Sequence, residues 1–145
     1  MDYGHWSLDF SKNVFEEKTH IGFIYAIVRN DGKYYIGKKL MNTKSKSSQW
    51  RTYVSSSKAV GEQIAKNKES FKFYILCFLS SKSLLNYVEA YIQFKYHALN
   101  NPLMLNGIVN LRCNGGCLSK KQEELSTILS SLDNTTFDFA IAKSW

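Results

Sequence analysis

Gly22-Phe23-Ile24-Tyr25-Ala26-Ile27-Val28-Arg29-Asn30-Asp31-Gly32-Lys33-Tyr34-Tyr35-Ile36-Gly37-Lys38-Lys39 holds two runs of β-branched and aromatic residues on either side of an Asn-Asp-Gly turn. That grouping reads as a β-hairpin. Strands of this composition normally bury, yet this pair also carries polar chemistry: Tyr25 in the first run, Tyr35 and Lys38 in or just beyond the second. Register decides whether these groups meet. A three-residue loop of Asn30, Asp31 and Gly32, with Gly32 left-handed, sets Ile27 opposite Tyr35 and Tyr25 opposite Gly37. Both phenols then project from one face, over a glycine that leaves room for a ligand. A two-residue Asp31-Gly32 loop places them on opposite faces instead, with Tyr25 opposite Lys38.

Positive charge gathers around the same hairpin. The chain has a formal net charge of +7 over 145 residues and a pI near 9.3. Between Lys33 and Lys58 there are seven basic residues, Lys33, Lys38, Lys39, Lys44, Lys46, Arg51 and Lys58, and no acidic one. A field concentrated in this way suits a polyanion, and phosphate contacts are what such a cluster supplies. Taken in isolation, the cluster also fits a solvated basic loop. Hydrophobic residues at 44% and charged residues at 21% argue against disorder, and the length allows one core rather than two. No apolar run reaches the roughly 18 residues of a membrane span, and Met1 to Trp6 lacks a basic start followed by an apolar stretch. A cytoplasmic protein, neither exported nor membrane-bound, is therefore expected. Three cysteines, Cys77, Cys113 and Cys117, are an odd count and argue against a disulfide framework.

Around the hairpin the periodicities change. Residues 1–20 read as a packing arm, with Trp6, Leu8 and Phe10 alternating as in a short strand and His5 and His20 on the surface. Leu40 to Ser57 reads as a loop anchored by Trp50 and Tyr53. Ser57 is placed to cap a helix from Lys58 to about Lys68 with Val60 and Ile64 inward. Phe71 to Leu79 reads as a buried central strand, with Cys77 a small core residue. A helix from about Ser83 to Tyr96 has Leu85, Val88, Ile92 and Tyr96 on its inner stripe, and Glu89 lies on that stripe. A carboxylate there either is half-buried, needing a cation or a metal, or sits at an edge and pairs with Lys82 or Lys95. Asn100-Asn101-Pro102 and Asn106-Gly107 break the chain, and Val109-Asn110-Leu111 follows. Cys113 and Cys117 lack a second ligand pair, so zinc is not expected. Ser119 to Gln122 resembles a capping box opening a last helix with Leu125, Ile128, Leu129 and Leu132 on one face, to dock on the core or on a second protomer as a homodimer contact. A short strand through Phe137 and Phe139 would complete the chain.

Ile24-Tyr25, with Tyr35-Ile36-Gly37-Lys38 starting ten positions after Tyr25, resembles the core signature of the GIY-YIG endonucleases. The resemblance continues in order through Tyr53 to Lys58, Phe71 to Leu76, Glu89-Ala90-Tyr91-Ile92 and Val109-Asn110-Leu111, and is strongest to the phage-type, homing-endonuclease-like branch. It implies an α+β fold: a small, mainly antiparallel three-stranded sheet flanked by helices, in the order strand, strand, helix, strand, helix, with a C-terminal helix added. The domain expected from it spans residues 21–111, between the arm and a helical extension over 112–145.

Function follows the same resemblance. It implies a metal-dependent DNA endonuclease that nicks or cuts both strands, in a bacterial host cell if phage-encoded. Glu89 would be the sole protein ligand of a Mg²⁺ or Mn²⁺ ion, Tyr25 would activate the attacking water, and Tyr35 and Lys38 would serve the phosphate. A phenol with an ordinary pKa of about 10 is a poor base at neutral pH, so that role needs nearby positive charge. Lys39, Lys44, Lys46, Tyr53, Lys58 and Asn110 are the expected nucleic-acid contacts. Two departures stand out: Phe23 intervenes between Gly22 and Ile24-Tyr25, and the position of the family's helical arginine falls at Ser45. Arg51 is the choice for that role because its fork holds two phosphate oxygens at once, with Lys58 the other cation available. The competing reading is a catalytically weak protein that binds nucleic acid through residues 33–58.

Overall fold

The computed structural model describes residues 1–41, 49–107 and 118–133. Lys44, Lys46, Asn110, Cys113, Cys117 and the expected strand through Phe137 lie outside them. The described residues form an α+β arrangement: β1 (Trp6–Ser7), β2 (Gly22–Arg29), β3 (Tyr34–Leu40), α1 (Lys58–Lys66), β4 (Phe71–Leu79), α2 (Lys82–Lys95) and α3 (Gln122–Asp133).

The hairpin has the three-residue register. Tyr25 pairs with Gly37 and Ile27 with Tyr35. Gly32 takes φ +88°, and Arg29 N–H donates to the Lys33 carbonyl at 2.7 Å across the loop. An L-residue with a side chain rarely adopts that φ, so Gly32 permits this loop, and Asp31 lacks the positive φ that a two-residue type I′ loop would need. The Arg29 guanidinium hydrogen-bonds Asp31 and holds its carboxyl down at about 2.

The sheet differs from the expected one. It has four strands in the order β1-β4-β2-β3 and is mixed, because β1 runs parallel to β4 with Trp6 opposite Phe73. A two-residue strand leaves almost no periodic trace, and its partner is distant in sequence; the arm therefore contributes a strand as well as packing. Past β1, Lys12 N–H reaches the Leu76 carbonyl at 2.8 Å, and the Asn13 side chain bonds both N–H and C=O of Phe78 at 2.8 and 2.9 Å. At the opposite rim, Tyr34 exchanges bonds with Leu103 and Leu105.

Alternation along β2 divides the core into two layers. Ile24, Ala26 and Val28 face α2 and α3, while Phe23, Tyr25 and Ile27 face α1, Trp50 and Trp6. A bulge on β4 shifts the register between Ile24 and Tyr25, so that Ile24 pairs with Cys77 but Tyr25 with Ile75. Cys77 is fully buried, and burial pushes its thiol up to about 12, in keeping with a core role. Ser57 caps α1 through the Val60 N–H at 3.3 Å. The last helix does not open with the expected capping box. It begins as a 3-10 turn over Ser119–Lys121, and the Gln122 side chain turns back to the Leu118 carbonyl. Its Leu125, Ile128 and Leu132 are buried in the same layer as α2, so that face docks on the core of its own chain.

His5 and His20 also depart from expectation, since each is half-buried. His20 Nδ1 accepts from Glu16 N–H at 2.9 Å. His5 stacks on Phe73 with ring centroids 3.9 Å apart, and its Nε2 bonds the Tyr53 carbonyl at 2.8 Å. Burial, then the charge of Lys68, lowers His5 to about 4. The unfolded chain, with a histidine near 6.5, takes up that proton first, so stability should fall as pH drops from about 6.5 towards 4 and level off below. A scan of Tm against pH should show this loss, and His5→Phe, which keeps an aromatic ring over Phe73, should flatten part of it. Equal slopes in the two proteins would remove His5 as the cause.

Candidate active site

Ser81 caps α2 by accepting from Leu84 N–H at 3.1 Å, which fixes the phase of the helix. Leu85, Val88 and Ile92 are then buried against the sheet, and Glu89 falls at the border of that stripe with its side chain 12% exposed. Lys38, opposite Ile24 in the hairpin, points to the same side. The two meet, Lys38 Nζ lying 3.3 Å from Glu89 Oε1. Burial raises the Glu89 carboxyl above its usual range, and the nearby lysine opposes the rise. Of the two readings open for this carboxylate, the structure shows the half-buried one, paired with Lys38 rather than with Lys82 or Lys95.

A cleft of about 610 Å³ opens beside this pair and wraps the edge of β3. Tyr35, Ser56 and Lys58 line it from the α1 side, Lys38, Glu89 and Gln93 from the α2 side. Tyr35 and Ser56 hydroxyls lie 3.4 Å apart. Tyr25 sits beneath the cleft with its ring 6.2 Å from that of Tyr35. It is fully buried, and its hydroxyl lies near the side chains of Ser55 and Tyr53 but meets no partner at full hydrogen-bond geometry among the described residues. A Cβ added at Gly37 would stand 2.4 Å from this hydroxyl, so the glycine is what lets the phenol reach the edge of the sheet. Burial, then the neighbouring phenols of Tyr35 and Tyr53, raises the Tyr25 pKa well above the ordinary value. The direction is opposite to what the water-activating role requires, and Lys38 alone does not reverse it.

The model of the family described as "Putative endonuclease segE, GIY-YIG domain" matches residues 6–109. The chain belongs to the GIY-YIG endonuclease family. No curated protein and no solved structure matches the chain.

Within this GIY-YIG domain the expected cations do not all converge. Arg51 lies on a 3-10 turn over Trp50–Thr52, its Nε donating to the Asp2 carbonyl at 2.8 Å and its guanidinium 4.4 Å from the Trp50 ring. It ties down the N-terminal arm and is not among the residues lining the cleft. Lys58, at the start of α1, is in the cleft. Lys39 Nζ stands 4.1 Å from the centre of the Tyr53 ring, a cation–π contact that with Lys38, Lys82 and Asn86 lines a second cavity of about 400 Å³. Lys38 belongs to both cavities, which makes one basic path along α2.

Four contributors lie outside the sequence-derived site: Lys82 (which the sequence offers only as an alternative partner of Glu89), Asn86, Gln93 and Asn106. The first three follow Glu89's own face at helical spacing, a pattern that an inspection for polar residues on that stripe would have revealed. In sequence Asn106 is the first residue of an Asn-Gly turn signal. Its amide pairs with the main chain of β3 at the rim, accepting from Ile36 N–H at 3.1 Å and donating to Ile36 C=O at 2.8 Å. Only tertiary contact assigns it that place. Among the described residues no helix is long and apolar enough to cross a membrane, and no three His, Cys, Asp or Glu side chains cluster.

Proposed function

We propose that this chain hydrolyses phosphodiester bonds in DNA, with the assistance of a divalent cation, at the cleft around the edge of β3. The observation that carries the reading is the convergence of Tyr35, Lys38, Lys58 and Glu89, drawn from both faces of the sheet, on one cavity. Lys38 and Lys58 offset charge on the phosphate, and Tyr35 donates a hydrogen bond to it. Donor chemistry fits a hard cation: one half-buried carboxylate, no thiol or imidazole among the described residues of the cleft, and space for water. Glu89 would hold it, and when bound the ion supplies Lewis acidity at the phosphate. Tyr25, neutral as it stands, positions the attacking water through its hydroxyl. It serves as base only once further positive charge has entered the cleft and lowered its pKa.

DNA would lie along Lys38, Lys39, Lys58 and Lys82, with Tyr53 offering a ring on which a base can stack. If these four lysines each meet a phosphate, the log–log slope of affinity against salt should be about −4 for duplex DNA. A slope near zero would point to a protein partner. The deciding experiment is supercoiled plasmid with pure protein and Mg²⁺, Mn²⁺ or EDTA: relaxed or linear product is expected with metal and none with chelator. A second reading, a weakly catalytic nucleic-acid-binding protein, draws on the position of Arg51 outside the cleft, and it predicts DNA binding without product under every condition.

Because Lys58 and not Arg51 lines the cleft, we assign the phosphate-binding cation role to Lys58. Lys58→Ala is expected to lower the cleavage rate about 10²-fold, the scale of one transition-state donor. Arg51→Lys should leave the rate within a few fold of wild type and lower Tm slightly, through the lost bond to Asp2. Reversed results would restore Arg51 to the site.

A further inference from the structure

Gln93 lies one helical turn beyond Glu89 on α2, lines the same cleft and is only 3% exposed. Its Nε2 donates to the Ile36 carbonyl at 3.0 Å, while its Oε1 has no partner among the described residues. Turning the amide over does not cure this, because an oxygen would then face the Ile36 oxygen and the NH₂ group would lose its acceptor. The orientation is therefore set, and a buried, unpartnered acceptor remains on a residue that lines the cleft.

A structural role does not account for that atom. The Ile36 carbonyl already accepts from Asn106 Nδ2, so Gln93 adds a second donor to a group that has one. Burying the amide for that purpose alone leaves its oxygen desolvated with nothing in return. On one helix face, positions four apart set their side chains side by side, and Gln93 and Glu89 both line this cavity.

We propose that Gln93 Oε1 is a second oxygen ligand of the divalent cation, beside Glu89; the inference rests on the reading that Glu89 holds such an ion. An amide oxygen and a carboxylate form the kind of hard donor pair that Mg²⁺ and Mn²⁺ accept, with water completing the shell. The pair explains how a site with one acidic side chain gains enough hold on a weakly bound ion: Gln93 adds a ligand without adding charge that would repel phosphate.

The test is Mn²⁺ binding to the DNA-free protein, followed by the loss of the free-ion EPR signal, with Tm measured for each variant. Gln93→Leu and Gln93→Glu both lose the donor to Ile36, but only the glutamate keeps an oxygen. Gln93→Leu should weaken Mn²⁺ binding about tenfold or more, and Gln93→Glu should match or exceed wild type. Equal weakening in both would assign Gln93 a purely structural role and overturn the proposal, as would wild-type affinity in Gln93→Leu. Should Gln93→Leu fail to fold, Gln93→Met replaces it with the same expectation. Glu89→Ala is the control that separates the two readings. If it binds Mn²⁺ like wild type, the metal reading of Glu89 fails; if it loses the ion while Gln93→Leu does not, only the present inference fails.

Discussion

Glu89→Ala is expected to lower the rate of metal-dependent plasmid cleavage by about 10³-fold or more while DNA affinity stays level or rises slightly. Among the described residues the carboxylate is the only acidic group lining a cleft that also holds lysines, hydroxyls and an amide, so its removal takes away the main hold on a cation and one charge that repels phosphate. Stability should move the other way. Burial raises the carboxyl pKa of Glu89 in the folded chain, which means that the unfolded chain releases this proton first and stability declines as pH rises past the ordinary carboxylate range. Glu89→Gln, which keeps the shape and an acceptor for Lys38, should therefore hold or raise Tm at pH 7 while losing activity as fully as the alanine variant. Opposite signs in the two assays are the mark of a group retained for function. Cleavage near the wild-type rate in either variant would sink the assignment.

Gly37→Ala should damage both the fold and the site. Its methyl group would lie 2.4 Å from the hydroxyl and 2.5 Å from Cζ of Tyr25, the residue paired with it across the hairpin. Although these atoms end a side chain, the ring has little freedom: Trp6 and Tyr53 stand 5.1 and 6.1 Å from it, centre to centre. Overpacking of this kind costs about 1–3 kcal/mol, more than an alanine gains over glycine in a strand. A fall of several degrees in Tm is expected, together with an activity loss as large as that of Tyr25→Phe, about 10²-fold if the phenol handles the proton of the attacking water. Tyr25→Leu should suppress the stability loss, because it removes the atoms with which the methyl collides. Additive losses in that double variant would mean that the strain lies elsewhere.

Much of this architecture was legible because local chemistry decided it. Asn30-Asp31-Gly32 admits the left-handed residue that sets the register, and the register fixes which face Tyr25 and Tyr35 share. The stripe of Leu85, Val88 and Ile92 fixes where Glu89 points. What escaped depends on contacts between distant segments. Nothing near Arg51 announces that the Asp2 carbonyl will engage its guanidinium, nor does anything near Trp6 announce a pairing with Phe73. The electrostatics of Tyr25 escaped for the same reason: its neighbours in sequence are strand residues, whereas its pKa is set by burial and by phenols brought in from β3 and the loop before α1.

The treatment of the sheet's two rims bears on how the protein behaves in company. On one side the backbone groups of Tyr34 and Ile36 are taken up by Leu103, Leu105 and the Asn106 amide; on the other, a two-residue strand and the Asn13 side chain occupy β4. Aggregation through strand addition starts from a long row of unclaimed amides, and over these stretches the molecule presents none. A basic, aromatic-rich sheet would ordinarily be a candidate for sticking to itself; over these capped stretches it can meet other molecules through side chains rather than through its backbone.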